Sequence, residues 1–253
     1  MTAFVKRLPL AERWRLDAEA DGLARLARAG AIRVPRVLGQ GASESEAWLE
    51  LEWFDLHRPD AESDARMGVA LARLHAVTGE RFGLERDNAI GATVQRNALS
   101  GDWADFWRDR RVGFQLELAA ENGYAGRLQD RGRRLLGRIP AFFAGYRPAP
   151  SLLHGDLWAG NRAMLADGTP VIFDPAVYHG DREADLAMTR LFGGFGARFY
   201  DAYAAEWPLD AGAAARSDLY NLYHALNHLN LFGGSYLSLA ESMIDRLLAA
   251  AGD

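Results

Sequence analysis

Two hydrophobic periods follow one another along the chain. Residues 3–8 (AFVKRL) read as a short strand. In residues 11–30, Leu16, Ala20, Leu23, Leu26 and Ala27 recur at helical spacing, and Gly30 stops the helix. Val34-Pro35-Arg36-Val37-Leu38 is a short extended piece. Residues 47–54 (AWLELEWF) alternate strictly, Leu49, Leu51 and Trp53 on one face and Glu50 and Glu52 on the other, as in a half-buried strand. From about residue 62 the period is helical: Ser63 is placed to cap a helix with Met67, Ala70, Leu71 and Leu74 on one face. Residues 79–98, with several Gly and Asn, read as loop, and 102–121 and 126–145 as two further helices. The stretch 151–174 is β-rich, and 183–250 is helical in three or four segments. The expected fold class is α+β. A small lobe over 1–55 precedes a larger, mainly helical lobe over 56–253, with a hinge near Glu52–Leu56.

Composition narrows the function classes. The 253 residues are 49% hydrophobic and 25% charged, an ordinary globular balance. With 29 Lys+Arg against 34 Asp+Glu and no basic stripe, nucleic acid is not the expected partner. The absence of cysteine excludes disulfides, thiolate metal sites and a cysteine nucleophile. No apolar run approaches the roughly 18 residues of a membrane helix. Arg13, Arg15, Asp17, Glu19 and Asp21 arrive too early for a signal core, so the cytoplasm is the expected location.

The chemistry concentrates in SLLHGDLWAGNRAMLADGTPVIFDP, residues 151–175. His154-Gly155-Asp156 is followed by Asn161 and then by Asp174 at the end of an apolar strand. Protein kinases use an Asp-x-x-x-x-Asn catalytic loop followed by a metal-binding Asp. Phosphoryl transfer needs an aligned acceptor hydroxyl and cations that spread the developing charge. Asp156 is suited to orient the hydroxyl and take its proton, and Asn161 and Asp174 to hold Mg²⁺ on the phosphates of ATP, since hard oxygen ligands suit that ion. The bland alternative is a β-hairpin with polar loop residues.

HGDLWAGN, VIFDPAVYHGDREADLAM, LFGGF and YNLYHALNHLNLFGGSY are very similar to the fructosamine (ketosamine) kinase family, and FGLERDNAIGATVQRN and DWADFWRDRR resemble it too. The resemblance spans about residues 3–250. It implies a bilobal protein-kinase-like fold and ATP-dependent phosphorylation of a ketosamine at the sugar's third-carbon hydroxyl, a deglycation repair activity. It also implies that Lys6 contacts the ATP phosphates, that Glu19 pairs with Lys6, and that Glu50, Glu52 and Trp53 lie along the adenine site through their backbone. Asp156 becomes the catalytic base, and Asn161 and Asp174 the Mg²⁺ ligands. Trp158 either stacks on the sugar or packs the loop. Asp185 braces the catalytic loop, and His154 orients it. His224, Asn227, His228 and Asn230, at helical spacing, read as a wall of the acceptor pocket or a satisfied polar core rather than as a metal cluster.

The sequence departs from the family in one respect. Kinases carry a glycine-rich hairpin before the strand lysine, and no G-x-G-x-x-G occurs in the first 60 residues. The small lobe is therefore expected to lack its first strands. Either further residues precede Met1 in the natural protein or the phosphate site is open to water. An unprotected edge at Phe4 predicts dimerisation or aggregation. A kinase for another small hydroxylated amine, such as an aminoglycoside or choline, and a nucleotide-binding pseudokinase are the competing readings.

Overall fold

The strictly alternating stretch forms the centre of a three-stranded antiparallel sheet. In the computed structural model, which describes residues 3–252, β1 (Ala3–Pro9) and β2 (Val37–Ala42) flank β3 (Glu46–Glu52). Lys6 stands opposite Leu49. Ala47, Leu49 and Leu51 are buried and share an apolar cluster with Leu16, Leu23 and Leu26 of α1 (Arg13–Ala29). The helix closes at Gly30, whose N–H donates to the carbonyls of Leu26 and Ala27. β1 is an edge strand, and Phe4 and Val5 are exposed on it. The strand stops two residues short of the expected 47–54. β3 ends at Glu52, so Trp53 leaves the buried face, is 53% exposed and rests against Phe4, their ring centroids 6.4 Å apart.

The helical part begins with α2 (Ala61–His75). Its N-cap is Asp60 rather than Ser63. Asp60 accepts from the Ser63 N–H, and the Ser63 hydroxyl accepts from the Asp60 N–H, a reciprocal capping box that satisfies two otherwise unpaired donors. Residues 79–98 are not all loop. They contain a hairpin of β4 (Asn88–Ile90) and β5 (Thr93–Gln95), too short to register as an alternation. The stretch 102–121 is one helical run in three parts: α3 (Trp103–Phe106), a π-helical segment (Trp107–Gly113) and α4 (Phe114–Glu121). α5 (Arg127–Arg138) follows. Four short strands then pair in antiparallel twos: β6 (Ser151–Leu153) with β9 (Tyr178–Gly180), and β7 (Arg162–Met164) with β8 (Pro170–Ile172). Helices α6 (Glu183–Leu191), α7 (Ala197–Glu206), α8 (Ala213–Phe232) and α9 (Leu237–Ala250) complete the chain.

Apolar burial forms two clusters. One gathers α3 to α5, α8 and α9 around Trp107, Tyr220 and Leu226. The other joins the sheet and α1 to Met67 and Leu71 of α2, Leu152, Ile172, and Phe199 and Tyr203 of α7. The first 55 residues thus share a core with the helices that follow them, and each fully buried leucine there contributes about 1.5–3 kcal/mol. No described helix is long and apolar enough to cross a membrane.

At Gly68 the backbone of α7 packs directly on α2. A Cβ there would run into the Phe199 carbonyl and lie 3.0 Å from the Tyr203 nitrogen, both of them backbone atoms. Gly68→Ala should therefore destabilise by roughly 1–3 kcal/mol despite the helix preference of alanine. Gly137→Ala, on an exposed part of α5 with open space around it, should stabilise by about 0.5–1 kcal/mol. Urea unfolding of both variants checks the pair, and shifts of the same sign would contradict the packing.

Candidate active site

The loop after β6 and the strand end after β8 face one another because a buried carboxylate ties the loop down. Asp185, on the first turn of α6, accepts hydrogen bonds from the backbone N–H groups of His154 (2.8 Å) and Gly155 (2.9 Å). Its remaining partner is His75 Nε2 at 3.2 Å, and His75 Nδ1 lies 2.8 Å from the Tyr203 hydroxyl. Burial lowers the pKa of His75. The neutral ring donates from Nε2 to the carboxylate and accepts at Nδ1 from Tyr203. Burial alone would raise the pKa of Asp185, but the hydrogen bonds from His75 and from the Gly155 N–H hold it below the usual range. His154, fully buried and neutral, links three strands of chain: Nε2 donates to the Phe173 carbonyl (3.0 Å) and Nδ1 accepts from the Asp156 N–H (3.3 Å). Gly155 has φ 84°, and a Cβ there would collide with the Ala176 carbonyl, so only glycine lets the loop sit against the strand end.

Asp156, Asn161 and Asp174 converge on one cavity of about 460 Å³, also lined by Lys6, Arg15, Glu19 and Trp158. Asn161 Nδ2 donates to the Asp156 carbonyl at 2.8 Å and reaches the Asp156 carboxylate at 3.4 Å, which leaves Asn161 Oδ1 as the donor atom suited to a cation. Asp174 is the single described non-glycine residue with positive φ (57°), a strained conformation of the kind that clusters at functional sites. Lys6 bridges Glu19 (2.7 and 2.9 Å) and Asp174 (2.5 Å). Burial works against the Lys6 ammonium, but Glu19 and Asp174 outweigh it and raise its pKa. Burial, then the charges of Asp174 and Asp185, push Asp156 up to about 7 against the hydrogen bond from Asn161. A carboxyl at that value can accept a proton near neutrality.

The described residues hold no group of three or more His, Asp or Glu able to cage a metal. Asn161 and Asp174 are two oxygen donors on one wall, which fits a Mg²⁺ that takes its other ligands from phosphates and water.

A second, more apolar cavity of about 280 Å³ adjoins the first at Lys6 and Asp174. Phe4, Leu51, Glu52, Trp53, Phe54, Leu56 and Phe173 line it. The Glu52 carboxylate is turned away to Arg33 (2.6 Å) and Arg36 (3.2 Å), anchoring the end of β3. Glu50 lines neither cavity, and its side chain lies over Gly39 of β2. A larger groove, about 800 Å³, opens between the π-helical segment and α5, and two ion pairs lie on its wall, Arg96 with Asp87 and Arg108 with Asp109.

Some supporting residues carried no sequence signal of their own. Asn88 and Gln95, from the unforeseen hairpin, donate to the carbonyls of Val177 (2.7 Å) and Ala176 (2.9 Å) just beyond Asp174-Pro175. His75 could have been flagged as a polar residue on the buried stripe of α2, four positions after Leu71. On α8, Asn227 and Asn230 bond Gln115 as a satisfied polar core. His228 Nδ1 bonds the His224 carbonyl, and His224 Nδ1 is buried without a partner among the described residues.

Known proteins match this arrangement along nearly the whole chain. A family model described as fructosamine kinase matches residues 2–250. A probable ketoamine kinase of Synechocystis is 46% identical, over 97% of this chain and 82% of that protein. A crystal structure described as a "putative fructosamine-3-kinase" of Haemophilus somnus superposes with a TM-score of 0.90 at 33% identity, over 98% of this chain and 84% of that one. The choline kinase LicA of Streptococcus pneumoniae shares the fold, with a TM-score of 0.63 at 13% identity over 99% and 85% of the two chains. The bilobal protein-kinase-like α+β architecture expected from the sequence is thereby established.

The raised pKa of Asp156 has a thermodynamic signature. The native carboxyl keeps its proton up to about pH 7, whereas the unfolded chain loses it near about pH 3.9. The native state therefore binds more protons in between, and stability falls as pH rises through that window. Asp156→Asn should gain steadily on the wild type from about pH 4 to 7 and lead it by roughly 1–3 kcal/mol at pH 8 in urea unfolding. A difference that stays constant with pH would show that Asp156 ionises at its ordinary value.

Proposed function

The chain belongs to the fructosamine kinase family, and from that premise we propose that it transfers the γ-phosphoryl group of ATP to the third-carbon hydroxyl of a ketosamine. The observation that carries the proposal is the convergence of Lys6, Asp156, Asn161 and Asp174 on one cavity beside Trp158.

Asp156 accepts the hydrogen bond of the acceptor hydroxyl, orients its lone pair and takes its proton as the new P–O bond forms. Glu19 fixes the Lys6 ammonium at the cavity, where it can meet the phosphates. Asn161 and Asp174 would hold Mg²⁺, which neutralises phosphate charge. The apolar cavity at Trp53 and Leu51 suits the adenine, with the β3 end supplying backbone groups. Trp158, 40% exposed, offers its indole face to the sugar ring. Asp185 and His154 hold the loop rather than react. The phosphorylated ketosamine sheds its sugar, which makes the reaction a repair of glycated amines, and the cytoplasm is the compartment we assign to it.

ADP release should depend on a ketosamine (fructose-, ribulose- or erythrulose-derived) together with Mg·ATP, with an aminoglycoside control silent. Release with the aminoglycoside alone would favour the competing acceptor class. Asp156→Asn should lower turnover by about 10²–10⁴-fold while nucleotide still binds. Because the base must be deprotonated, kcat/KM should fall as pH drops through about 7. Asp174→Ala should remove Mg²⁺-dependent nucleotide binding, and unchanged binding would take Asp174 out of the metal site.

A further inference from the structure

Asn161 is the last residue of the 3₁₀ turn Ala159–Asn161, and the next residue, Arg162, opens β7 opposite Ile172. The Arg162 side chain does not line the catalytic cavity. It is buried on the far side of the strand, 5% exposed, and pairs with the Asp64 carboxylate of α2. The same guanidinium donates to the Gly194 carbonyl and lies over the Phe195 ring, 3.8 Å from its centre. Asp64 closes the circuit by accepting from the Gly196 N–H (2.8 Å). Residues 194–196, between α6 and α7, are thereby clamped to α2. This segment also rests directly on the turn that carries Asn161. Gly194 has φ 92°, and a Cβ there would stand 2.5 Å from the Ala159 Cβ. The Arg162–Asp64 pair takes no part in the chemistry assigned above, yet it begins one peptide bond from a proposed metal donor.

We propose that Arg162 is a positioning residue for the metal site: its clamp on Asp64 and residues 194–196 fixes where Asn161 presents Oδ1 relative to Asp174. The proposal rests on the reading of Asn161 and Asp174 as Mg²⁺ ligands. The Asn161 side chain is held by its Nδ2 bond to the Asp156 carbonyl (2.8 Å). Its main chain is held by the strand that Arg162 opens, where the Asn161 carbonyl accepts from the Phe173 N–H (3.1 Å). Movement of the chain at Arg162 therefore shifts Asn161 and, through Ile172 and Phe173, the end of β8 that carries Asp174. Mg²⁺ demands near-ideal octahedral geometry, so a displaced donor is felt as lost affinity. Arginine suits the task because its planar fork meets a carboxylate, a carbonyl and a ring at once, which a lysine ammonium does not. A buried ion pair that served stability alone would be replaceable by apolar residues of similar volume. One that sets the donor geometry is not replaceable without a change in metal binding.

The test is calorimetric titration of the full chain with ADP, with and without Mg²⁺, which reads the factor by which the metal tightens the nucleotide. Arg162→Met alone leaves a buried carboxylate without its cation and costs stability outright. The informative variant is therefore the double replacement Asp64→Leu/Arg162→Met, with Arg162→Lys as the conservative partner. The double variant should need about 10–100-fold more Mg²⁺ for the same tightening, the usual effect of removing a residue behind a metal ligand. Its metal-free Kd for ADP should stay at the wild-type value, and Arg162→Lys should fall between the two. If the double variant does not fold, Arg162→Lys decides the matter by the same titration. Wild-type Mg²⁺ dependence in the folded variants would overturn the proposal and leave the pair a structural staple. So would an equal loss of metal-free ADP binding, which reports a general loosening of the cleft. Asn161→Ala separates this inference from the reading beneath it. If that variant keeps the wild-type Mg²⁺ dependence, the assignment of Asn161 to the metal fails, and the role of Arg162 falls with it.

Discussion

The site depends on the Asp185 carboxylate. It is fully buried, it stays ionised, and it meets two backbone N–H groups and one imidazole instead of a counter-ion. A buried anion satisfied by fixed dipoles is costly to displace, because each lost donor leaves charge in a low-dielectric interior. The loop carrying Asp156 is therefore held to α6, and through His75 and Tyr203 to α2 and α7. His154 extends the restraint to Phe173, one residue before Asp174. Two carboxylates that would repel one another are held on one cavity by this scaffold, and that enforced proximity is part of what raises Asp156 toward neutrality.

The other half of the site comes from far away in sequence. Lys6 lies 168 positions before Asp174, yet their side chains touch. β1 can present Lys6 there because β3 and α1 are fused to α2, β8 and α7 by one apolar cluster. The register of β1 on β3 fixes which side chains enter the cleft, since a slip of one residue would turn Lys6 away. Packing in the core thus sets the geometry of the charges.

What the sequence disclosed follows the range of each signal. That Asp156, Asn161 and Asp174 would come together was legible because their spacing is local. The elements with a clear period, β3, α1 and α2, were legible for the same reason. Lys6 and Glu19 were legible only through resemblance, since an isolated lysine on an edge strand has no local signature. The β4–β5 hairpin was missed because three-residue strands carry no period, and what holds them is the side-chain bonding of Asn88 and Gln95 to a distant strand end. Ser63 was taken for the cap because a capping box places a capping residue at both of its ends. The π-helical segment lies inside a continuous helical run, and the five-residue step from Trp107 to Val112, both buried, was not read as its mark. Trp53 continued an alternation that the backbone itself had abandoned.

The Lys6–Asp174 contact has a consequence for how ligands share the cleft. Lys6 serves as internal counter-ion to Asp174, so a phosphate that recruits Lys6 does so in competition with a carboxylate. The displaced carboxylate then stands beside Asp156 with its negative charge uncompensated. Anion binding at one end of the cleft thereby creates demand for a cation at the other. The two affinities are linked reciprocally, each ligand strengthening the other's hold by the same factor. Nucleotide and metal would then be admitted as a neutralised pair rather than in sequence, and a cleft holding neither closes its own charges.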